Sequence, residues 1–267
     1  MTTTMPPIPE STDDDLTPLL SEPFARAWAA PAAPRQMGQR LSDRLGQSLR
    51  AEAGMITMRR RKTFAEPVAD GVLQRWLYRA PSGRELRPGE PRAVSVIELQ
   101  PGASLALPPA GAREFLVMRG AAHVDAEALT LRDFLLLPAG TPAVLGSQDG
   151  AHVFVREGEG PARERTLVRD EEAGWPEFAP GIRRRVLWTD GGQAALLYRA
   201  DPGASVPNHG HGHDEECLMV QGELFLDDVL LQAGDYQLAP AGTGHRVTET
   251  DTGVVLYAHG DLDLQFC

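Results

Sequence analysis

The chain has 267 residues, of which 42% are hydrophobic and 24% charged, so it has enough apolar content for one or two folded domains. Its formal net charge of -11 argues against a general nucleic-acid-binding protein, because a surface that binds phosphates needs an excess of Arg and Lys. The one run of basic residues, at 59–62, is short.

Export signals and cysteines bear on where the protein works. No segment reaches the roughly 18 to 20 consecutive apolar residues of a membrane-spanning helix, and the first residues lack the basic and apolar regions of a signal peptide. Cys217 and Cys267 are the only cysteines, which argues against a structural disulfide. We therefore expect a cytoplasmic protein that binds neither a membrane nor nucleic acid directly.

The first 62 residues divide into two segments. Residues 1–35 are rich in Thr, Pro, Asp and Ala without periodicity and are predicted to form a disordered tail. In residues 36–62, an apolar residue recurs at every fourth position up to Gly54, which predicts a short amphipathic helix. The recurring residues are Met37, Leu41, Leu45 and Leu49. Such a helix either docks on its own domain or binds a partner.

From residue 63 onward, short β-type runs alternate with Gly and Pro, which predicts an all-β sandwich or barrel. Four sequence blocks occur twice in the same order, which indicates a duplicated domain. The paired blocks begin at Gly71 and Gly181, Pro101 and Pro202, Glu114 and Glu216, and Asp133 and Asp235. We place the first copy at residues 63–162 and the second at 163–267.

The second copy contains a cluster of His and acidic residues. His209 and His211 are two positions apart, so both side chains face the same side of a strand. Glu215 stands at the start of the next strand, and a Pro and Gly turn delivers His245. Three imidazoles and one carboxylate suit one divalent transition metal, among zinc, iron, nickel, copper and manganese.

These residues match the two motifs of the cupin superfamily. Residues 203–222 fit G-x5-H-x-H-x3-E-x6-G, and residues 234–245 fit G-x5-P-x-G-x2-H, with Glu249 in place of the Asn that ends the second motif. The doubled acid at 215–216 more specifically resembles the cupin domain of ChrR-type anti-sigma factors. This resemblance implies two tandem cupin barrels, of the double-stranded β-helix or jelly-roll type, and zinc as the metal at the four residues above.

Other polar residues of the chain are less direct candidates. His213 continues the alternation and is an alternative ligand, a turn residue or a hydrogen-bond donor to a ligand. Glu216 has the counterpart Glu114 in the first copy and is expected at a strand edge, exposed to solvent or hydrogen-bonded. Structural or surface roles are expected for His123, His152 and His259.

The first copy lacks the metal ligands. The four positions are occupied by the Leu-Pro-Pro-Ala run at 107–110, by Arg113 and by Ala143. Because Arg113 would repel a cation, this copy is predicted to be a scaffold or an emptied pocket that binds an organic anion.

The resemblance leaves two classes of function open. A ChrR-type cupin implies a cytoplasmic sensor or regulator of transcription responses, whose partner is a sigma factor or a small-molecule ligand. Residues 1–62 contain no His and no Cys, so the zinc-binding domain that holds the sigma factor in that family is not expected here. A homodimer is compatible with this function.

The alternative is catalysis. Cupins with two barrels provide a precedent for an iron-dependent dioxygenase that acts on a small organic substrate such as a diketone or a flavonol. No general acid or base is evident outside the ligand set, and an isomerase of sugars or keto acids is a third alternative.

Overall fold

The computed structural model describes residues 33–158, 164–263 and 265–266. The predicted tail falls almost entirely on residues 1–32, and the predicted boundary between the copies falls within 159–163, so both lie outside the described residues. Most of the described chain is β-structure, which confirms the all-β class.

The N-terminal helix α1 spans Ala33–Ala53, so it begins before the predicted start and ends just before Gly54. The apolar residues of the predicted stripe are exposed. The segment 36–62 is not helical throughout, because Ile56–Met58 forms strand β1 and Arg60–Lys62 a single 3-10 turn. None of the described helices is both long enough and apolar enough to cross a bilayer.

The first barrel contains a seven-stranded sheet, in the order β12-β9-β6-β11-β4-β3-β2, and a four-stranded sheet, in the order β5-β10-β7-β8. The strands are β2 (Ala65–Ala69), β3 (Val72–Arg79), β4 (Pro91–Leu99), β5 (Ser104–Leu107), β6 (Ala112–Gly120), β7 (Ala122–Val124), β8 (Glu127–Leu129), β9 (Phe134–Leu137), β10 (Ala143–Gly146), β11 (Ala151–Gly158) and β12 (Thr166–Val168).

The second barrel repeats this order as β1-β20-β18-β23-β15-β14-β13, and a small sheet β21-β17-β24 lies beside it. It begins after the short helix α2 (Asp170–Ala173). Its strands are β13 (Glu177–Ala179), β14 (Ile182–Asp190), β15 (Gln193–Ala200), β16 (Ser205–Val206), β17 (His209–Gly210), β18 (Glu215–Leu226), β19 (Val229–Gln232), β20 (Tyr236–Ala239), β21 (Gly244–His245), β22 (Thr248–Glu249), β23 (Val254–Asp261) and β24 (Gln265–Phe266).

The two barrels exchange edge strands. Strand β1 precedes the first copy in the chain but pairs with β20 of the second barrel, with Ile56 opposite Leu238. Strand β12 falls in the segment assigned to the second copy but pairs with β9 of the first barrel, with Leu167 opposite Leu135. Each exchange covers a sheet edge that would otherwise expose unpaired backbone groups.

Three buried apolar clusters form the cores of the two barrels and the contact between them. One fills the interior of the first barrel and includes Phe115, Leu129 and Leu145. A smaller one lies inside the second barrel. The third cluster joins the barrels, since it combines residues of the first, such as Phe154, with residues of the second, such as Tyr257. These two rings lie 4.8 Å apart between centroids.

Candidate metal centre

The structure brings His209, His211 and Glu215 together inside the second barrel. One potential ligand atom from each lies within 4.8 Å of the others. His245 lies beside this group, with its Nε2 3.7 Å from Glu215 Oε2 and its ring centroid 4.9 Å from that of His211. All three imidazoles are buried. The four predicted ligands therefore converge, although His245 is slightly farther from the centre of the group.

Short strands position these side chains. β17 pairs with β21 so that His209 lies directly opposite His245. A Cβ added at Gly244 would lie 2.5 Å from the carbonyl oxygen of His209, so only Gly allows the two strands to approach this closely. Glu215 begins β18, the strand that pairs with β20 and β23 in the main sheet.

Each imidazole is oriented by a contact at its Nδ1. His209 Nδ1 donates to the carbonyl oxygen of Pro207 at 2.9 Å. His211 Nδ1 lies 3.2 Å from Thr243 Oγ1, and His245 Nδ1 lies 3.4 Å from a carboxylate oxygen of Asp227. Outer contacts of this type fix the tautomer and direct Nε2 toward a metal.

The donor atoms at the centre fit a cation. The buried Nε2 atoms of His211 and His245 both face Glu215 Oε2, at 3.1 and 3.7 Å, and neither forms a hydrogen bond of good geometry among the described residues. Leaving such atoms unpaired is costly, and a cation coordinated by both would remove that cost. Zinc, iron and their neighbours accept three imidazoles and one carboxylate: four such ligands complete a tetrahedral zinc site, whereas iron with more coordination positions keeps room for water or a small ligand.

The ionisation of His209 and Glu215 suits a metal site, whereas at His211 the contact with Glu215 outweighs burial and raises the pKa of the imidazole. Burial lowers the pKa of His209 and favours the neutral imidazole. Burial alone would raise the pKa of Glu215, but its contact with His211 and the other nearby imidazoles lower that pKa to about 2. Neutral imidazoles and an ionised carboxylate are the forms that coordinate metals.

His213 is not brought into this group. Its side chain is partly exposed, and its Nδ1 contacts a carboxylate oxygen of Asp261. Asp261 also accepts a hydrogen bond from the backbone N–H of Gly212 at 2.6 Å, so it holds the loop between the ligands. The structure places His213 in a supporting turn, one of the roles considered for it above.

Glu216 does not lie exposed at a strand edge but in a buried ionic network between the barrels. Arg156 donates from Nε to Glu216 at 2.8 Å and from Nη1 to Glu114 at 3.2 Å. Tyr236 donates to Glu216 at 2.9 Å, and Tyr257 donates to Glu114 at 2.7 Å. The equivalent positions of the two glutamates in the repeat were the only sequence signal for this network, and Arg156 had none.

His259 adjoins the same network. It is buried, its Nδ1 lies 3.6 Å from Glu216, and its ring packs against Trp188 at 5.2 Å between centroids. Burial and the charge of Arg156 lower its pKa well below the usual value, so it is neutral. Its neighbours give it a role in packing between the barrels.

A small cavity of about 60 Å³ adjoins the metal ligands. His209, Glu215 and His245 line one part of it, and most of the remaining wall is aliphatic. Thr248 Oγ1, also in the wall, is buried without a hydrogen-bond partner among the described residues. The volume accommodates about four to six water-sized groups. The cavity therefore suits a small and largely apolar ligand.

The first barrel has no equivalent centre at the corresponding positions. Leu107 lies opposite Ala143, as His209 lies opposite His245 in the second barrel. Arg113 is buried and pairs with Glu157 at 3.2 Å, while its Nη1 has no partner among the described residues. Apolar side chains fill the interior around it.

Comparison with known families assigns the second barrel. Residues 163–263 match the family described as ChrR Cupin-like domain. The second barrel is similar to ChrR cupin-like domains over this range. The predicted resemblance is thereby confirmed for this part of the chain, and the rest of the chain lies outside the match.

One curated relative is anti-sigma-E factor ChrR of Cereibacter sphaeroides, which is 31% identical over 99 residues. The match covers 37% of this chain and 46% of the relative, so it spans about half of that protein's length. Together with the cupin fold, this similarity supports a metal-binding cupin that carries a ChrR cupin-like domain.

Solved structures extend the likeness to both barrels. A protein of Nostoc punctiforme PCC 73102, provisionally named a dioxygenase, aligns over 78% of this chain and 83% of its own with 16% identity and a TM-score of 0.63. Oxalate decarboxylase of Lactobacillus farciminis aligns over 79% of this chain and 87% of its own with 15% identity and a TM-score of 0.58. At these identities the likeness concerns the fold, and it confirms the tandem cupin architecture.

Proposed function

We propose that the second barrel binds one divalent transition metal through His209, His211, Glu215 and His245, and that the chain is a cytoplasmic sensor or regulator. The observation that carries the proposal is the orientation of the three imidazoles, whose Nδ1 atoms are engaged by the protein while their Nε2 atoms are left for the centre. Zinc is the metal proposed, since it would supply a closed or nearly closed structural site with these ligands.

The regulatory part of the proposal follows the ChrR similarity. The matched domain and the curated anti-sigma factor support a role in controlling transcription, with a sigma factor as the proposed protein partner. The cavity beside the metal ligands supports a small molecule or oxidant as the signal. In this scheme His209, Glu215 and His245 both hold the metal and form part of the wall that meets the signal.

A second candidate function, an iron-dependent dioxygenase, is favoured by the same cavity. An organic substrate in it would lie against three of the four ligand residues, within reach of an open coordination position. Its wall includes no Lys or Arg among the described residues, so uncharged diketones or flavonol fragments suit it better than dicarboxylates. The fold shared with the Nostoc protein is compatible with this alternative.

Metal content and oxygen consumption distinguish the two functions. The protein is purified without a metal-affinity tag at low oxygen, analysed for metals, and then supplied with ferrous iron and a panel of diketones, flavonols and thiols. About one tightly held zinc per chain and no oxygen uptake would support the regulator. Iron together with substrate-dependent oxygen uptake would replace it with the dioxygenase.

His213 provides a matched control for the ligand set. His245→Ala is expected to remove stoichiometric metal, whereas His213→Ala is expected to keep it, because His213 contacts Asp261 instead of the centre. Unchanged metal content in the His245 variant would show that the four-ligand assignment is wrong. Loss of metal in both variants, with folding intact by circular dichroism, would place His213 among the ligands.

A further inference from the structure

The three arginines of the basic run, at 59–61, line a cleft where the two barrels meet. Two cavities of about 170 and 490 Å³ adjoin there, since both are lined by Arg60, Arg75 and Ala233. The smaller one also has Arg119 and His152 of the first barrel in its wall. None of its lining residues is a proposed metal ligand.

The internal repeat provides a comparison for this cleft. Asp235 accepts hydrogen bonds from the backbone N–H of Arg60 at 2.8 Å and from Arg59 at 3.1 Å. Its counterpart Asp133 accepts them from the backbone N–H of Asp170 at 2.8 Å and from Arg169 at 3.0 Å. Arg60 therefore occupies the position that Asp170 occupies on the other side of the molecule.

The two equivalent positions carry opposite charges. Asp170 pairs with Arg132 at 2.6 Å and with Arg185 at 2.7 Å, so the cations on that side are neutralised. On the cleft side, Arg75 is the repeat counterpart of Arg185, and its guanidinium contacts the Arg60 carbonyl oxygen at 3.4 Å. A carboxylate is thus replaced by a cationic side chain in a protein whose net charge is -11.

Few anionic side chains balance the cleft. Glu98 pairs with Arg75 at 3.1 Å. Within the described ranges, the side chains of Arg60 and Arg119 form no ion pair, and both residues are exposed. Burial lowers the pKa of His152, and the charges of Arg119, Arg60 and Arg75 lower it further against the opposing effect of Glu98. Three arginines and one carboxylate therefore lie close enough to this imidazole to influence its pKa.

We propose that this cleft binds a small oxyanion, a molecule that carries a phosphate or carboxylate group, through the guanidinium groups of Arg60 and Arg119. Guanidinium groups bind both kinds of oxyanion in a bidentate manner. Asp170 occupies the equivalent position on the other side of the repeat, and its backbone N–H makes the same hydrogen bond that the backbone N–H of Arg60 makes. The fold itself therefore does not require a cationic side chain at this position. His152 forms part of the wall and adds a ring N–H donor.

Isothermal titration calorimetry of the full chain with pyrophosphate and with citrate, at low ionic strength, tests the proposal. Binding of either anion is expected, and its Kd is expected to rise about tenfold in Arg60→Gln and in Arg119→Gln, the loss of one charge-assisted hydrogen bond each. Which of the two probes binds more tightly identifies the phosphate or the carboxylate source. A rise of the His152 pKa on binding, followed by NMR, is a second readout.

The matched control is Arg199→Gln, which removes an exposed arginine from the corresponding cleft beside Arg132. This variant is expected to bind the anion as the parent does. The proposal is overturned if neither anion binds, if all three variants weaken binding equally, or if only a mixed-sequence oligonucleotide binds. Because none of these variants touches the metal ligands, metal content provides a separate check on the proposed function.

Discussion

The two barrels of this chain share one strand order but differ in what occupies their interiors. In the second barrel, three imidazoles and a carboxylate converge beside a small cavity. In the first, Leu107, Arg113 and Ala143 occupy the corresponding positions, and apolar side chains fill the space. The shared framework therefore does not depend on a metal. A few side chains at equivalent positions decide whether a barrel contains clustered donor atoms beside a cavity or a packed apolar interior.

The largest effect is expected from the ligands themselves. His209→Ala should weaken metal binding by more than about 100-fold. This exceeds the loss of affinity expected when only a residue that hydrogen-bonds to a ligand is removed. Metal analysis after dialysis against a chelator measures this directly. Leu107→Ala changes the corresponding position of the first barrel and should leave metal content unchanged. Equal metal loss in both variants would mean that the barrels do not differ as described.

The ionic network between the barrels is the next test. Arg156→Met would leave Glu114 and Glu216 buried without their cation, and we expect the free energy of unfolding to fall by about 3–5 kcal/mol. Urea denaturation monitored by circular dichroism provides the measurement. In Arg165→Met, which removes a solvent-exposed pair with Glu127, the loss should be no more than about 1 kcal/mol. A similar loss in both variants would contradict a specific role of the buried network.

Core packing separates the filled barrel from the one with a cavity. Leu145 is fully buried in the first barrel, so Leu145→Ala is expected to cost about 2–5 kcal/mol of unfolding free energy. Leu224 lines the cavity of the second barrel, so part of its surface already lacks packing partners. The cost of Leu224→Ala in unfolding free energy should therefore be near the lower end of that range. The same denaturation measurement compares them. A larger cost at Leu224 would indicate that the cavity is tightly packed in solution.

The smallest effect is a pH dependence in the first barrel. Burial alone would raise the pKa of Asp133, but hydrogen bonds from the backbone N–H groups of Thr130 and Asp170 and the contact with Arg169 lower it. A carboxyl whose pKa is lower in the folded state stabilises the fold above its unfolded pKa, and this stabilisation is lost as the pH falls through the folded pKa. The free energy of unfolding should therefore decrease as the pH falls from about 5 toward 2.

Asp133→Asn isolates this contribution. The variant should be less stable than the parent at pH 7, and the difference should shrink as the pH falls, since the parent then loses its carboxylate as well. Denaturation curves recorded at several pH values measure it. A constant difference at every pH would show that Asp133 does not act through its charge.

Sequence by itself determined the class of fold, the duplication and the residues that converge at the candidate metal centre. The repeat blocks and the spacing of His209, His211, Glu215 and His245 are local patterns, because strand geometry carries positions two apart to one face and short turns return the chain. That the four residues hold a metal stays a prediction. His213 has the same local spacing, and only its contact with Asp261 separated it from the others.

Tertiary structure alone decided the features that join the two copies. The pair between Arg156 and Glu216 links residues 60 positions apart, and β1 pairs with a strand about 180 positions away. The same holds for Arg60. Only the contacts of Asp235 and Asp133 show that its position in the fold corresponds to that of Asp170. Such contacts follow from how the barrels pack against each other, and packing between distant segments has no period along the chain by which it could be predicted.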